Sequence, residues 1–173
     1  YRSRPARTVK AARSRQRDSG IFSGSNDEPL YGDTYLPRKF KVAVTVPGDN
    51  SVDLLTQDIG LVAFTDTSGA LIGCNVYVGG GMGRTHNKEE TFARVADPLG
   101  YVAASDVLDL VQAILALQRD HGDRQIRRHA RMKYLLHDKG VSWFRTELTQ
   151  NYFRGDLKGL RNEPKAKLSD YLG

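Results

Sequence analysis

The apolar residues of this chain recur at two different periods, and the period changes once. Before about residue 80 they come in short runs rich in β-branched side chains: Val42-Ala-Val-Thr-Val46, Leu61-Val-Ala-Phe-Thr65 and Leu71 to Val78. From Ser105 onward they follow helical spacing, with Val107, Leu108, Val111, Ile114, Leu115 and Gln118 on one face and Leu110 and Leu117 widening it. Strands followed by helices predict an α+β domain, with helices packed on one face of a small antiparallel sheet. The 173 residues allow one such domain with a real core, not two large ones.

The connections have their own chemistry. Pro47-Gly-Asp-Asn50 is a turn, Ser51 to Asp58 is a short helix or an extended link, and Asp66 to Gly69 closes a hairpin between the second and third strands. Lys88 to Ala96 predicts a short helix ended by Asp97-Pro-Leu-Gly100. Ser105 can cap the main helix, Asp106 suits its positive end, and Gly122 stops it. Asp123 caps a second helix over residues 124–139, stopped by Gly140, and a third over 142–152 buries Trp143, Phe144 and Leu148.

The net charge is +6, which at first suggests a nucleic-acid partner, but the excess is uneven. Arg2, Arg4, Arg7, Lys10, Arg13, Arg15 and Arg17 precede the first acid, Asp18, and outweigh the whole net charge. Residues 1–27 therefore read as a basic lead-in or linker, able to bind phosphate backbones without sequence preference, and residues 28–173 as a nearly neutral domain. The N-terminus has no initiator Met and no apolar signal core, so the chain reads as an internal piece or a processed product. No apolar run approaches the roughly 20 residues of a membrane span. The single cysteine, Cys74, excludes an internal disulfide and a four-thiolate iron–sulfur site within the chain.

Two stretches favour anions. In Thr34-Tyr-Leu-Pro-Arg-Lys-Phe-Lys41, strand alternation projects Lys39 and Lys41 from one face, roughly 6–7 Å apart, with Arg38 and Phe40 on the other. The run behind them, Val42 to Val46, reads as a buried strand; the competing reading is an edge strand blunted by lysines. In Gly73-Cys-Asn-Val-Tyr-Val-Gly-Gly-Gly-Met-Gly-Arg-Thr-His86, the glycines at 79, 80, 81 and 83 let backbone N–H groups approach a ligand, and Arg84 and His86 follow at once. Neither a Walker loop nor a dinucleotide fingerprint is formed. Downstream, Arg124, Arg128 and Arg131 share one face of the expected second helix.

These residues resemble the middle of the ferredoxin-dependent sulfite reductases, sirohaem and iron–sulfur enzymes of plastids and cyanobacteria within the wider nitrite and sulfite reductase family. The resemblance runs from about Glu28 to Gly173. It is carried by Thr34 to Pro47, Asp49-Asn-Ser-Val-Asp-Leu-Leu-Thr56, Tyr77 to His86, Thr91-Phe-Ala-Arg94, Gln118-Arg119, Arg131-Met-Lys-Tyr134 and Tyr171-Leu-Gly173. It implies one half of the family's sirohaem-binding α+β fold, with sirohaem and a 4Fe-4S cluster as cofactors and ferredoxin as electron donor for reducing sulfite to sulfide. It also implies the remainder of a parent reductase, which carries the cluster cysteines, in a plastid stroma or a cyanobacterial cytoplasm. Lys39 and Lys41 become the substrate-anion residues. Arg38, Asn75, Gly79, Gly80, Gly81, Gly83, Arg84, His86, Arg131 and Lys133 become the cofactor contacts, with Arg131 and Lys133 foremost. The position matching Lys41 is typically Lys in sulfite reductases and Asn in nitrite reductases, which favours sulfite.

Overall fold

The computed structural model describes residues 29–163. The basic lead-in over residues 1–27 and the closing Tyr171-Leu-Gly173 lie outside the described residues. Four strands, β1 (Val42–Thr45), β2 (Ile59–Thr65), β3 (Leu71–Val78) and β4 (Asp97–Ala103), form one sheet in sequence order. Two helices follow, α1 (Val107–His121) and α2 (Met132–Glu147).

The α+β architecture is as expected, but the sheet is mixed rather than antiparallel. β1 runs parallel to β2, with Val42 opposite Ile59, while β2–β3 and β3–β4 are antiparallel. The parallel pair follows from the link over residues 46–58, too long for a hairpin turn and carrying a 3₁₀ turn at Leu54–Thr56. β1 is also an edge strand and not a buried one: Val42, Val44 and Val46 are about half exposed and only Thr45 is buried. In contrast, the β2–β3 hairpin forms where Asp66 to Gly69 predicts it. The Asp66 carboxylate accepts from the Ser68 and Ala70 N–H groups, and the Asp66 N–H donates to Ala70 O.

A fourth strand stands where a short helix and its stop were expected. Residues 88–96 form turns held by Thr91, whose buried Oγ1 accepts from Thr85 N–H at 2.8 Å and donates to Lys88 O. β4 then passes through Pro98 and Gly100, two residues that argue against a strand when read locally. Both are accommodated: a register irregularity lies between Val76 and Tyr77 opposite Gly100 and Pro98, and a Cβ at residue 100 would lie 2.5 Å from Lys158 O.

The core lies between one sheet face and the helices. Ile59, Leu61, Cys74, Val76, Val78 and Val102 meet Leu110, Ile114 and Leu117 of α1 and Leu136 and Phe144 of α2. The buried stripe of α1 is rotated from the expected one, so that Leu110 and Leu117 are fully buried while Leu108 is 73% exposed. Neither Ser105 nor Asp106 makes a side-chain cap hydrogen bond to α1. Gly122 does close the helix, through its N–H to Gln118 O.

Asp123 caps a turn, accepting from Gln125 and Ile126 N–H, and residues 124–131 are not helical. The arginine stripe on a second helix therefore does not exist. α2 begins only at Met132, and Gly140 (φ 80°, ψ 156°) breaks it into two halves before a π-helical turn at Leu148–Tyr152. Thus Gly140 does stop a helix, and the expected third helix is the second half of α2 with that turn.

The other sheet face is crossed by the chain after Leu157. Tyr101 and Lys158 exchange both backbone hydrogen bonds, and the fully buried Asn75 amide clasps residue 161, donating to Arg161 O and accepting from Arg161 N–H, each at 2.8 Å. The Arg161 guanidinium then lies over the Phe64 and Tyr101 rings. Asn75→Ala is expected to lower the unfolding free energy by about 1–3 kcal/mol, since two backbone groups lose their partner. Limited proteolysis should cut near residue 160 earlier than in the parent while far-UV circular dichroism is retained; unchanged cleavage would mean the clasp does not hold this crossing.

Candidate anion and cofactor site

Asp58, which the sequence did not single out, joins the expected site residues. It directly precedes β2 and is fully buried. Its Oδ2 accepts from the Lys41 N–H at 3.0 Å and from Arg131 Nη2 at 2.9 Å, while its backbone oxygen accepts from Gly79 N–H at 2.9 Å. One residue thus ties the lysine segment, the glycine loop and the start of α2. Burial pushes its carboxyl above the usual carboxylate range, opposed by the hydrogen bond and charge of Arg131 and by Lys41. The only sequence signal for it is an acid placed directly before an apolar strand.

The glycine loop does not offer the N–H cradle that its composition suggests. Gly79, Gly80 and Gly81 donate to Asp58 O, Gln57 O and Arg94 O within the protein. These glycines serve close packing: a Cβ at Gly80 would lie 2.3 Å from Leu55 O, and one at Gly81 would lie 2.7 Å from Arg131 Nη1. Gly79 also has φ 82°, which glycine adopts without strain. Gly83 differs, with open space where a Cβ would be, and Met82, Arg84 and His86 around it are exposed.

The cations fall into two groups. Lys133 is 1% exposed, and its ammonium donates to Gly81 O, to Gly83 O at 2.7 Å and to Phe92 O, with the Tyr134 ring 4.9 Å away. All three of its protons are thus engaged, so this expected carboxylate contact is instead an internal tie for the loop. Burial lowers its pKa, and the Arg131 charge adds to the effect. Arg131 pairs with Asp58 and reaches Gly80 O at 3.3 Å. Arg124 holds the Thr34 and Tyr35 carbonyls, and Arg128 pairs with Glu90. The Asn75 amide, also expected at a cofactor, is committed to Arg161 and Glu163.

The second group is free of such ties. Among the described residues, the Arg38, Lys39, Lys41 and Arg84 side chains make no ion pair and no hydrogen bond. Lys39 and Lys41 are exposed while Phe40 between them packs on the core. Arg38 and Lys39 line a cleft of about 320 Å³ with Tyr31, Tyr35, Leu36 and Phe40. The edge position of β1 also fits the reading of these lysines as guards against sheet pairing.

Side chains of Lys39 and Lys41 without a hydrogen bond or ion pair, at the entrance to an edge strand, and a packed glycine loop joined to that segment through one buried carboxylate are what this α+β fold brings together. The profile of the nitrite and sulphite reductase 4Fe-4S domain matches residues 19–155, and the chain belongs to that family. It is 64% identical over 146 residues to the ferredoxin sulfite reductase of Synechococcus elongatus, covering 84% of this chain and 23% of that protein. It is 49% identical over 126 residues to the NADPH sulfite reductase hemoprotein beta-component of Myxococcus xanthus, covering 73% and 22%. The structure of the Mycobacterium tuberculosis NirA protein superposes with a TM-score of 0.61 at 26% identity, covering 83% of this chain and 24% of that one. The chain spans about a quarter of the length of these proteins.

The donor set does not fit an iron–sulfur cluster. Cys74 is the sole cysteine, is 2% exposed, and faces the helical core, where burial pushes its thiol pKa up. No group of three His, Cys, Asp or Glu among the described residues could hold a metal ion. The loop geometry makes a contrast that can be measured. Gly80→Ala is expected to lower stability by about 1–3 kcal/mol through overpacking, whereas Gly83→Ala should stay within about 0.5 kcal/mol. Denaturant unfolding of both variants checks this, and equal losses would contradict the loop packing described above.

Proposed function

We propose that this chain is a segment of a sulfite reductase and supplies cationic contacts to the substrate anion and to sirohaem carboxylates. The observation that carries the reading is that Lys39 and Lys41 stay exposed and unpaired while Asp58 anchors the backbone of Lys41. The relatives support it: the Synechococcus elongatus and Myxococcus xanthus proteins are sulfite reductases, the first of them a ferredoxin enzyme by name. On this reading the parent carries out the six-electron reduction of sulfite to sulfide with ferredoxin as donor, in a plastid stroma or a cyanobacterial cytoplasm. The cluster cysteines then lie elsewhere in the parent.

Sirohaem, when bound, supplies the iron centre at which the sulfur of sulfite is reduced. The chain's own residues hold and protonate. The Lys39 and Lys41 ammonium groups would neutralise the sulfite charge and donate protons to the departing oxygen. Arg38, Arg84, His86 and the Gly83 backbone are the groups left for sirohaem carboxylates, since guanidinium forks grip carboxylates in pairs. Arg131 and Lys133 hold the loop from behind, which reverses their expected rank.

Lys41→Asn in the full-length enzyme tests substrate choice. It removes one charge and one proton donor, a loss of about 3–4 kcal/mol in transition-state stabilisation, roughly a hundredfold or more in rate. Nitrite carries one negative charge and one fewer oxygen, so its reduction should suffer less. The nitrite-to-sulfite ratio of kcat/KM is expected to rise at least about tenfold with the sirohaem spectrum retained. Equal loss for both substrates, or loss of sirohaem, would remove Lys41 from the substrate site.

A further inference from the structure

The position of Lys41 is set by a residue outside both anion-favouring stretches. Lys41 lies just before β1, a four-residue edge strand, and its N–H donates not to a neighbouring strand but to the Asp58 carboxylate at 3.0 Å. The next rung of the ladder is the Ile59 N–H donating to Lys41 O at 3.0 Å. Both backbone groups of Lys41 are therefore held by the pair Asp58–Ile59. The same Asp58 oxygen takes Arg131 Nη2, whose guanidinium packs on Gly81 and reaches Gly80 O. The Asp58 and Gln57 carbonyls hold the Gly79 and Gly80 N–H groups. A lysine at the start of an exposed edge strand would otherwise have few restraints, because Val42 and Val44 beside it are about half exposed.

We infer that Asp58 is a positioning residue for the anion site, fixing the Lys41 backbone against the glycine loop so that the Lys41 ammonium is delivered at one place. This inference rests on the reading of Lys41 as a substrate contact. A buried carboxylate is otherwise a poor choice at this position, since desolvation opposes its charge. Its Oδ2 accepts two donors at once while Oδ1 has no protein partner, and the same is true of Arg131 Nε. The carboxylate is thus used at one oxygen, the one shared by Lys41 and Arg131.

The test is a double-mutant cycle in the full-length, sirohaem-loaded reductase with Asp58→Ala, Lys41→Asn and both together. Sirohaem content is read from visible absorbance and folding from Tm. If Asp58 acts through Lys41, Asp58→Ala should lower kcat/KM for sulfite about tenfold or more, through the same split between kcat and KM as Lys41→Asn, yet change it less than about threefold when Lys41 is already Asn. Sirohaem absorbance should be retained throughout.

Equal losses in both backgrounds, or no loss from Asp58→Ala, would overturn the positioning role and leave the Lys41 reading standing. No loss of sulfite activity from Lys41→Asn alone would instead overturn the Lys41 reading, and the positioning role with it. If Asp58→Ala fails to fold because Arg131 is left as a buried unpaired cation, the cycle is run on Asp58→Ala with Arg131→Gln, using Arg131→Gln as reference. Failure of that pair to fold as well would assign Asp58 to the fold alone and overturn the inference.

Discussion

The ion pair between Asp58 and Arg131 is the contact on which the rest of this arrangement depends. The Asp58 side chain is wholly buried and that of Arg131 is 12% exposed, so both charges have left water, which costs several kcal/mol per ion before any attraction is counted. Their hydrogen bond at 2.9 Å, the Lys41 N–H and the Gly80 carbonyl oppose that penalty. Removing one partner of such a pair typically costs about 3–5 kcal/mol, because the other is stranded. The pair joins parts of the chain that are 73 residues apart, and the parallel β1–β2 ladder and the glycine loop both meet it.

The parts legible in the sequence are those set by local periodicity. The β2–β3 hairpin, the length of α1, the stop at Gly122 and the break at Gly140 were all expected from the residues that make them. β4 was not legible, because Pro98 and Gly100 read as a stop until the register irregularity in β3 and the backbone of Lys158 are seen beside them. The stretch from Arg124 to Arg131 was misread as a helix for a related reason. Arg124, Arg128 and Arg131 are held by carbonyls and acids from distant segments, and those contacts carry no local pattern.

The candidate site was half legible. Residue type singled out the cations, but it could not separate Lys133, buried with its protons engaged by three carbonyls, from Lys39 and Lys41, which face outward. Likewise the glycines signalled close approach, and the approach proved to be by the protein's own backbone and Arg131. Asp58 was invisible because a single acid beside a strand is ordinary in sequence; only its burial and its two donors set it apart.

The exposed side of β1 bears on how this chain behaves on its own. Val42, Val44 and Val46 recur every second residue along and just past β1, whose outer edge is unpaired among the described residues, the kind of surface along which β-rich aggregates grow. Lys39 and Lys41 stand at its entrance and Pro47 at its exit, charges and a missing N–H that act as gatekeepers against stacking. Solubility and the proposed ligand chemistry therefore draw on the same two lysines, so a substitution that neutralises them to test anion binding alters the colloidal behaviour of the chain as well.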